Sequence, residues 1–423
     1  MEPKASTLAN GLHVLSIFVP GAETITVEVG VKAGTRFETK EQHGMAHFLE
    51  HLFFKGGRKY KNAREVSEVV DLVGGNFNAY TSMEYVGYYV KTAKEDRQVA
   101  FDVLSDMLCF PLIPEEEIEK ERGVIYEEMN MYEDDPSSKV SQIFDSMFYG
   151  DHPLGWDTLG TKESLAKMKR EDFMKFLATW YVPDNMLVTV VGNIHHDQVV
   201  KEVESFFHFP TEKVSHVCEP FLSFPEERVI RCVKPIEQVQ IILGVPGFSA
   251  RDERRYAAKI LSIILGGNMS SRLFLKIREE MSLCYNIQTS RDAFLDTGSF
   301  CCMAGVDVKR SQQAIDAILA EFELIRTEGI TEEELKKAQS FINGKISINL
   351  EDTSSIADFF AHDHLLYQDL MTPSDLKACF HKVTVDEVNA VAKELFDPKA
   401  FRLALVGPKG ILKSEIRNKK LER

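Results

Sequence analysis

His47-Phe48-Leu49-Glu50-His51 sets two imidazoles four residues apart with a carboxylate beside them. On an α-helix, residues i and i+4 leave the same face, so both rings can reach one point in space. That geometry suits a tetrahedral cation such as Zn²⁺. Glu50, three residues after His47, stands close enough to take a proton from a water beside such an ion. The segment reads as a helix ending at Gly56-Gly57, preceded by a strand from Thr24 to Lys32 and a turn near Gly34.

Working outward, the same order of elements recurs in the second half. A strand from Val239 to Val245, a turn near Gly247 and a helix from Arg254 to Gly266-Gly267 repeat the first pattern. The strand Val86 to Val90, the helix Arg97 to Leu108 and the start Ile113-Pro-Glu-Glu-Glu are answered by a strand Gly298 to Ala304. A helix from Gln312 to Arg326 and the start Ile330-Thr-Glu-Glu-Glu follow it. Each half closes on an apolar strand followed by glycine, Met186 to Gly192 and Phe401 to Gly407. The expected fold is α+β: two homologous domains, 1–212 and 228–423, each a mostly antiparallel sheet packed with helices, joined by a Pro-containing linker at 213–227. Aligned on the glycine helix ends, His47, Glu50 and His51 face Ala257, Ile260 and Leu261. The second copy has the scaffold without the ligands, which assigns the chemistry to the first.

Two histidines do not hold a catalytic zinc, which takes three protein ligands and an open position. The helix that Pro114 opens has Glu115 to Glu117 in its first turn, favourable to its dipole. Along it Ile118, Glu121, Ile125, Glu128 and Met129 fall on one stripe. Glu121 and Glu128 therefore lie on or beside the inward face, two turns apart, whereas Glu127 points about 100° away toward solvent. Inward carboxylates are costly unless paired or bound to metal. Buried salt bridges and a metal site both satisfy that condition. Other histidines carry less. His43 sits at the helix entrance beside Gly44, His195-His196 follow a closing strand, and His362 and His364, at i and i+2, share no helix face. Gly266-Gly267-Asn268 lacks the G-K-[ST] of a phosphate loop.

The order H-x-x-E-H is the inverzincin arrangement. With Glu128 following His51 after 76 residues and Glu121 seven before it, the chain resembles the pitrilysin/insulysin family of zinc metallopeptidases. It is most similar to the short-chain subfamily of mitochondrial processing peptidase and its bacterial relatives, and the runs Gly44 to Gly56 and Glu127 to Pro136 share that likeness. The resemblance implies one Zn²⁺ per chain, bound by His47, His51 and Glu128, with Glu50 as general base and Glu121 orienting a ligand. It also implies that the run Gly75 to Thr81, through Asn78 and Ala79, pairs with the backbone of a substrate strand. Arg278 and Tyr285 match the family's substrate-positioning pair, placed to hydrogen-bond a carbonyl oxygen as charge grows on it. The natural active form is then a homodimer in which one subunit's Arg278 and Tyr285 serve the other's zinc, cleaving peptides or unfolded segments inside a chamber. The competing expectation is a non-catalytic family member acting as a partner subunit or peptide-binding component. Such relatives lose ligand residues, and this chain has lost none. The long glycine-rich loop of the non-catalytic processing-peptidase subunit is also missing.

Size and composition agree with these expectations. A chain of 423 residues exceeds one ordinary core. Seven cysteines without a C-x-x-C pair fit a reducing compartment, and adjacent Cys301 and Cys302 read as buried filler on opposite faces of a strand. A formal charge of −15 argues against a nucleic-acid footprint; it suits a chamber that attracts basic peptides and equally a plain acidic, solvated surface. The longest apolar stretch, Ile260 to Leu265, is too short to cross a bilayer, and the amino terminus carries no signal or transit pattern. A cytoplasmic chain is expected, or a mature chain of an organelle matrix.

Overall fold

The runs of β-branched residues that read as strands form two separate sheets in the computed structural model, which describes residues 1–209 and 218–409. The first sheet contains β1 (Pro3–Thr7), β2 (His13–Phe18), β3 (Thr24–Val31), β4 (Asn76–Thr81), β5 (Val86–Ala93) and β6 (Met186–Gly192), in the order β1-β2-β6-β3-β5-β4. The second contains β7 (Val229–Val233), β8 (Gln238–Pro246), β9 (Cys284–Ala293), β10 (Gly298–Asp307) and β11 (Arg402–Gly407), in the order β7-β11-β8-β10-β9. Each sheet is antiparallel except for one pair, β2 with β6 and β7 with β11. Laid over one another, β2 to β6 and β7 to β11 have the same order and the same parallel pair. The repeat seen in the sequence is a repeat of topology, with β1 as an addition.

The chain divides into two compact units that interleave along the sequence. Unit 1 comprises Met1–Met129, Trp156–Glu219 and Ile346–Asp375; unit 2 comprises Asn130–Gly155, Pro220–Lys345 and Leu376–Arg423. The division at 212 and 228 thus separates the two sheets, while two helical segments lie with the sheet of the opposite half. Helix Pro136–Tyr149 belongs to unit 2, and helix Thr353–Tyr367 to unit 1. Within unit 1, Ile356, Ala357 and Phe360 of that helix pack on Leu15, Ile17, Leu187 and Val191. Every residue of β6 is buried, as suits a central strand covered on both faces. Residues 213–217 of the expected linker lie outside the described residues.

On the other face of the first sheet, Val27, Val29 and Val188 pack with Phe48, Leu49 and Leu52 of helix Met45–Phe53 and with Ile118 and Ile125 of helix Glu115–Asp134. These apolar stripes turn one face of each helix into the core, and the residues beside the stripes lie at its margin. The second helix starts at Glu115, with the Pro114 carbonyl accepting from the Ile118 N–H. None of the seven cysteines is disulfide-bonded, and Cys301 and Cys302 are buried in β10. Among the described residues no helix is long and apolar enough to cross a membrane.

Candidate metal centre

Gly44 begins the helix that carries His47, Glu50 and His51, with a φ of 93° that favours glycine. A Cβ there would also meet the Leu159 carbonyl oxygen at 2.7 Å. The orphan N–H groups of the first turn find a side chain that sequence reasoning missed. Glu38, buried, accepts from the Gly44 N–H at 2.8 Å and the Ala46 N–H at 2.7 Å. Burial pushes its carboxyl up to about 8 against these backbone donors. The segment holding Glu38 is itself anchored: Arg36, fully buried, pairs with Glu84 at 2.5 Å, and its N–H donates to the Met83 carbonyl.

From this fixed start the helix aims its two histidines at the Glu115–Asp134 helix. His47 Nε2 stands 3.6 Å and His51 Nε2 3.5 Å from Glu128 Oε2. The three ligand atoms lie within 4.8 Å of one another, the one such group of His, Cys, Asp or Glu among the described residues. Bonds of 2.0–2.1 Å at tetrahedral angles place ligand atoms about 3.3–3.4 Å apart, so the spacing fits zinc with little adjustment. His51 Nδ1 is 3.1 Å from Glu121 Oε2, and Glu121 Oε1 takes Lys55 Nζ at 2.6 Å. That bond leaves His51 Nε2 free to ligate. His47 Nδ1, by contrast, is buried without a hydrogen-bond partner.

The electrostatics follow from this packing. Burial first, then the charge of His51, lower His47 to about 4, opposed by Glu128. Burial also acts to lower His51, but its hydrogen bonds to Glu121 and Glu128, with their charges, outweigh it and push it up to about 9. Glu128 is held below the usual carboxylate range chiefly by the bond to His51. Glu121 is also lowered, because His51 and Lys55 overcome its burial. Glu50 lies beside the three candidate ligands and is shifted upward: burial raises its carboxyl, while a hydrogen bond from Thr81 opposes the rise. Thr81 Oγ1 donates to Glu50 Oε2 at 2.6 Å. Two imidazoles, one carboxylate ligand and a separate raised carboxyl are the parts of metal-assisted hydrolysis.

Residues 13–162 match the family description Insulinase (Peptidase family M16), and residues 167–341 match Peptidase M16 inactive domain. An uncharacterized zinc protease of Bacillus subtilis is 34% identical over 97% of this chain and 100% of its own length. The chain belongs to peptidase family M16. Another uncharacterized zinc protease, from Streptomyces coelicolor, is 33% identical over 96% of this chain and 89% of its own length. A protease from Helicobacter pylori, known from its crystal structure, superposes with a TM-score of 0.90 at 26% identity, covering 96% of this chain and 99% of that one. The M16 inactive-domain match includes the helix Arg255–Gly266, where Ala257, Ile260 and Leu261 align with His47, Glu50 and His51.

The other residues named from the resemblance occupy the following positions. Glu127 is exposed while Glu121 is buried, as the helical stripe requires. β4 is an edge strand of the first sheet. On it the Asn78 side-chain oxygen accepts from the Ala79 N–H at 2.9 Å, satisfying that donor locally. Arg278 and Tyr285 belong to unit 2 and are neighbours: the guanidinium lies 5.2 Å from the Tyr285 ring centre, and Tyr285 is 78% exposed. Around them the backbone departs from regularity: Arg278 lies in a π-helix, Phe274–Glu280, and Ser282, between the two, has a φ of 51°. Both features concentrate at functional sites. The histidines set aside above have other partners. His43 Nε2 lies 2.7 Å from the Asp157 carbonyl, and the His195 ring stacks on Phe18. His196 lies between Ser6 and Ser16, and His364 against His13.

Proposed function

We propose that this chain is a zinc-dependent endopeptidase that hydrolyses peptides or unfolded segments, and that its working form is a homodimer. The observation that carries the reading is the convergence of His47 Nε2 and His51 Nε2 on one Glu128 oxygen, all within 4.8 Å, with the Glu50 carboxyl near enough to feel the charges of His51 and Glu128. Those three residues would hold one Zn²⁺ per chain, and Glu121 would keep His51 in the ligating tautomer. A zinc ion there would supply Lewis acidity toward the scissile carbonyl and toward an attacking water. Glu50 takes the proton from that water as it attacks and returns it to the leaving amine. The substrate strand adds to the β4 edge, displacing the Asn78 side chain from the Ala79 N–H. Arg278 and Tyr285 of a second copy hydrogen-bond the carbonyl oxygen as negative charge develops.

The test is metal analysis with cleavage of a quenched peptide library by wild type and Glu50→Gln. One zinc per chain and turnover that falls by about 10²–10⁴-fold in Glu50→Gln are expected. A wild-type protein that binds no zinc, or that turns over no peptide when loaded, contradicts the reading.

A further inference from the structure

Edge strand β4 meets the candidate site through a residue that the metal and base assignments leave unused. Successive side chains of a strand point to opposite faces. Phe77 faces the helix of His47, with its ring 5.5 Å from that of Phe54, and Thr81 lies on the same face. There the Thr81 hydroxyl donates to Glu50 Oε2 at 2.6 Å, and Oε1 is left for a reacting water.

On the opposite face the same strand is tied down at the preceding residue. The Tyr80 hydroxyl lies 2.5 Å from Asp358 Oδ1 on helix Thr353–Tyr367 and 3.1 Å from Glu28 Oε1 on β3. Glu28, fully buried, also accepts from Tyr85 at 2.9 Å. The Tyr80 ring lies over Gly87, where a Cβ would stand 2.5 Å from its Cζ, so the ring's place depends on glycine. An edge strand has no neighbour on one side to hold it. Tyr80 supplies that hold from behind, and Thr81 transmits the strand's position to Glu50.

We propose that Thr81 is a positioning residue for the reaction: its hydroxyl holds the Glu50 carboxylate in one rotamer, so the strand that docks the substrate also sets the general base. The inference rests on the endopeptidase reading for its kinetic consequence, but not for the rotamer. A glutamate has three side-chain torsions, and a half-buried one without a hydrogen bond samples several wells. Fixing one orients an oxygen at the reacting water and spares that ordering in the transition state. A hydroxyl at this position suffices, so serine should replace threonine, whereas the isosteric valine should not.

The experiment compares wild type, Thr81→Val and Thr81→Ser in the zinc-loaded protein, reading Glu50 in crystal structures, zinc content, and kcat and KM on a quenched peptide. Thr81→Val should leave zinc content unchanged and KM within about twofold, lower kcat by about 10–100-fold, and show Glu50 in more than one rotamer. Thr81→Ser should restore the single rotamer and kcat to within about threefold. If Thr81→Val fails to fold, Thr81→Ala makes the same comparison. A single unchanged Glu50 rotamer in the valine variant overturns the proposal whatever the rate does. So does an unchanged kcat, or a loss that appears equally in Thr81→Ser. A wild type without turnover, whose Glu50 rotamer still depends on the Thr81 hydroxyl, sinks the endopeptidase reading and leaves the positioning role standing.

Discussion

In the proposed site Glu121 would decide which nitrogen of His51 is offered to a metal. Its Oε2 lies 3.1 Å from Nδ1, and Lys55 holds its other oxygen at 2.6 Å. Glu121→Ala should weaken zinc by about 10–100-fold in chelator competition, whereas Glu127→Ala, at an exposed position, should leave it unchanged. Equal affinities in the two variants would remove Glu121 from the site. The pairs His47 with His51 and Glu121 with Glu128 were legible because helix periodicity couples residues three, four and seven apart, and the resemblance brought the two pairs together as one candidate site. Lys55, Glu38 and Thr81 were not, because no local period links them to their partners. Glu38 reaches the helix through a loop anchored by the Arg36–Glu84 pair, and Thr81 reaches Glu50 from strand β4 beneath the helix.

At the scale of elements, the helix of His47 depends on a side-chain cap from outside itself. Glu38→Ala should cost about 1–3 kcal/mol in urea unfolding, because the Gly44 and Ala46 N–H groups lose their buried acceptor. An unchanged midpoint would show that other groups satisfy this helix start. Glu28 gives β3 and helix Thr353–Tyr367 a pH dependence. Burial, reinforced by Asp358, raises its carboxyl from 4.5 to about 8 despite bonds from Tyr85 and Tyr80. Between those values the folded chain holds a proton that the unfolded chain has released. The contribution is therefore full below the unfolded value and is lost as pH rises toward 8. Wild type should lose on the order of 3 kcal/mol more than Glu28→Gln across that window in denaturant titrations, and parallel profiles would contradict this. Strands and helices were legible from their periods and glycine stops. The turn at Ile113 was not. This buried β-branched residue adopts a φ of 44° just before helix Glu115–Asp134, with Arg170 donating to its carbonyl at 3.0 Å. Such strain comes from tertiary packing and has no compositional mark.

For the molecule as a whole, duplication could be read from repeated strand, turn and helix order, and the matching sheet orders bear it out. The placing of helices Pro136–Tyr149 and Thr353–Tyr367 with the opposite sheets could not. An amphipathic helix records that one face is buried, not which sheet buries it. The proposed homodimer predicts complementation. Mixing Glu50→Gln with Arg278→Ala subunits should recover up to about a quarter of wild-type turnover, since random pairing puts one intact site in half of the dimers. No recovery on mixing would confine each site to one chain. The proposed function depends on His47, His51 and Glu128 sharing one zinc ion, and X-ray absorption at the zinc edge of the purified protein tests this most directly. The expected spectrum shows one zinc per chain bound only by nitrogen and oxygen at about 2.0–2.2 Å, two of the ligands imidazoles, and it is lost in His47→Ala. Sulfur ligands at about 2.3 Å, or a zinc signal that survives that substitution unchanged, would contradict it.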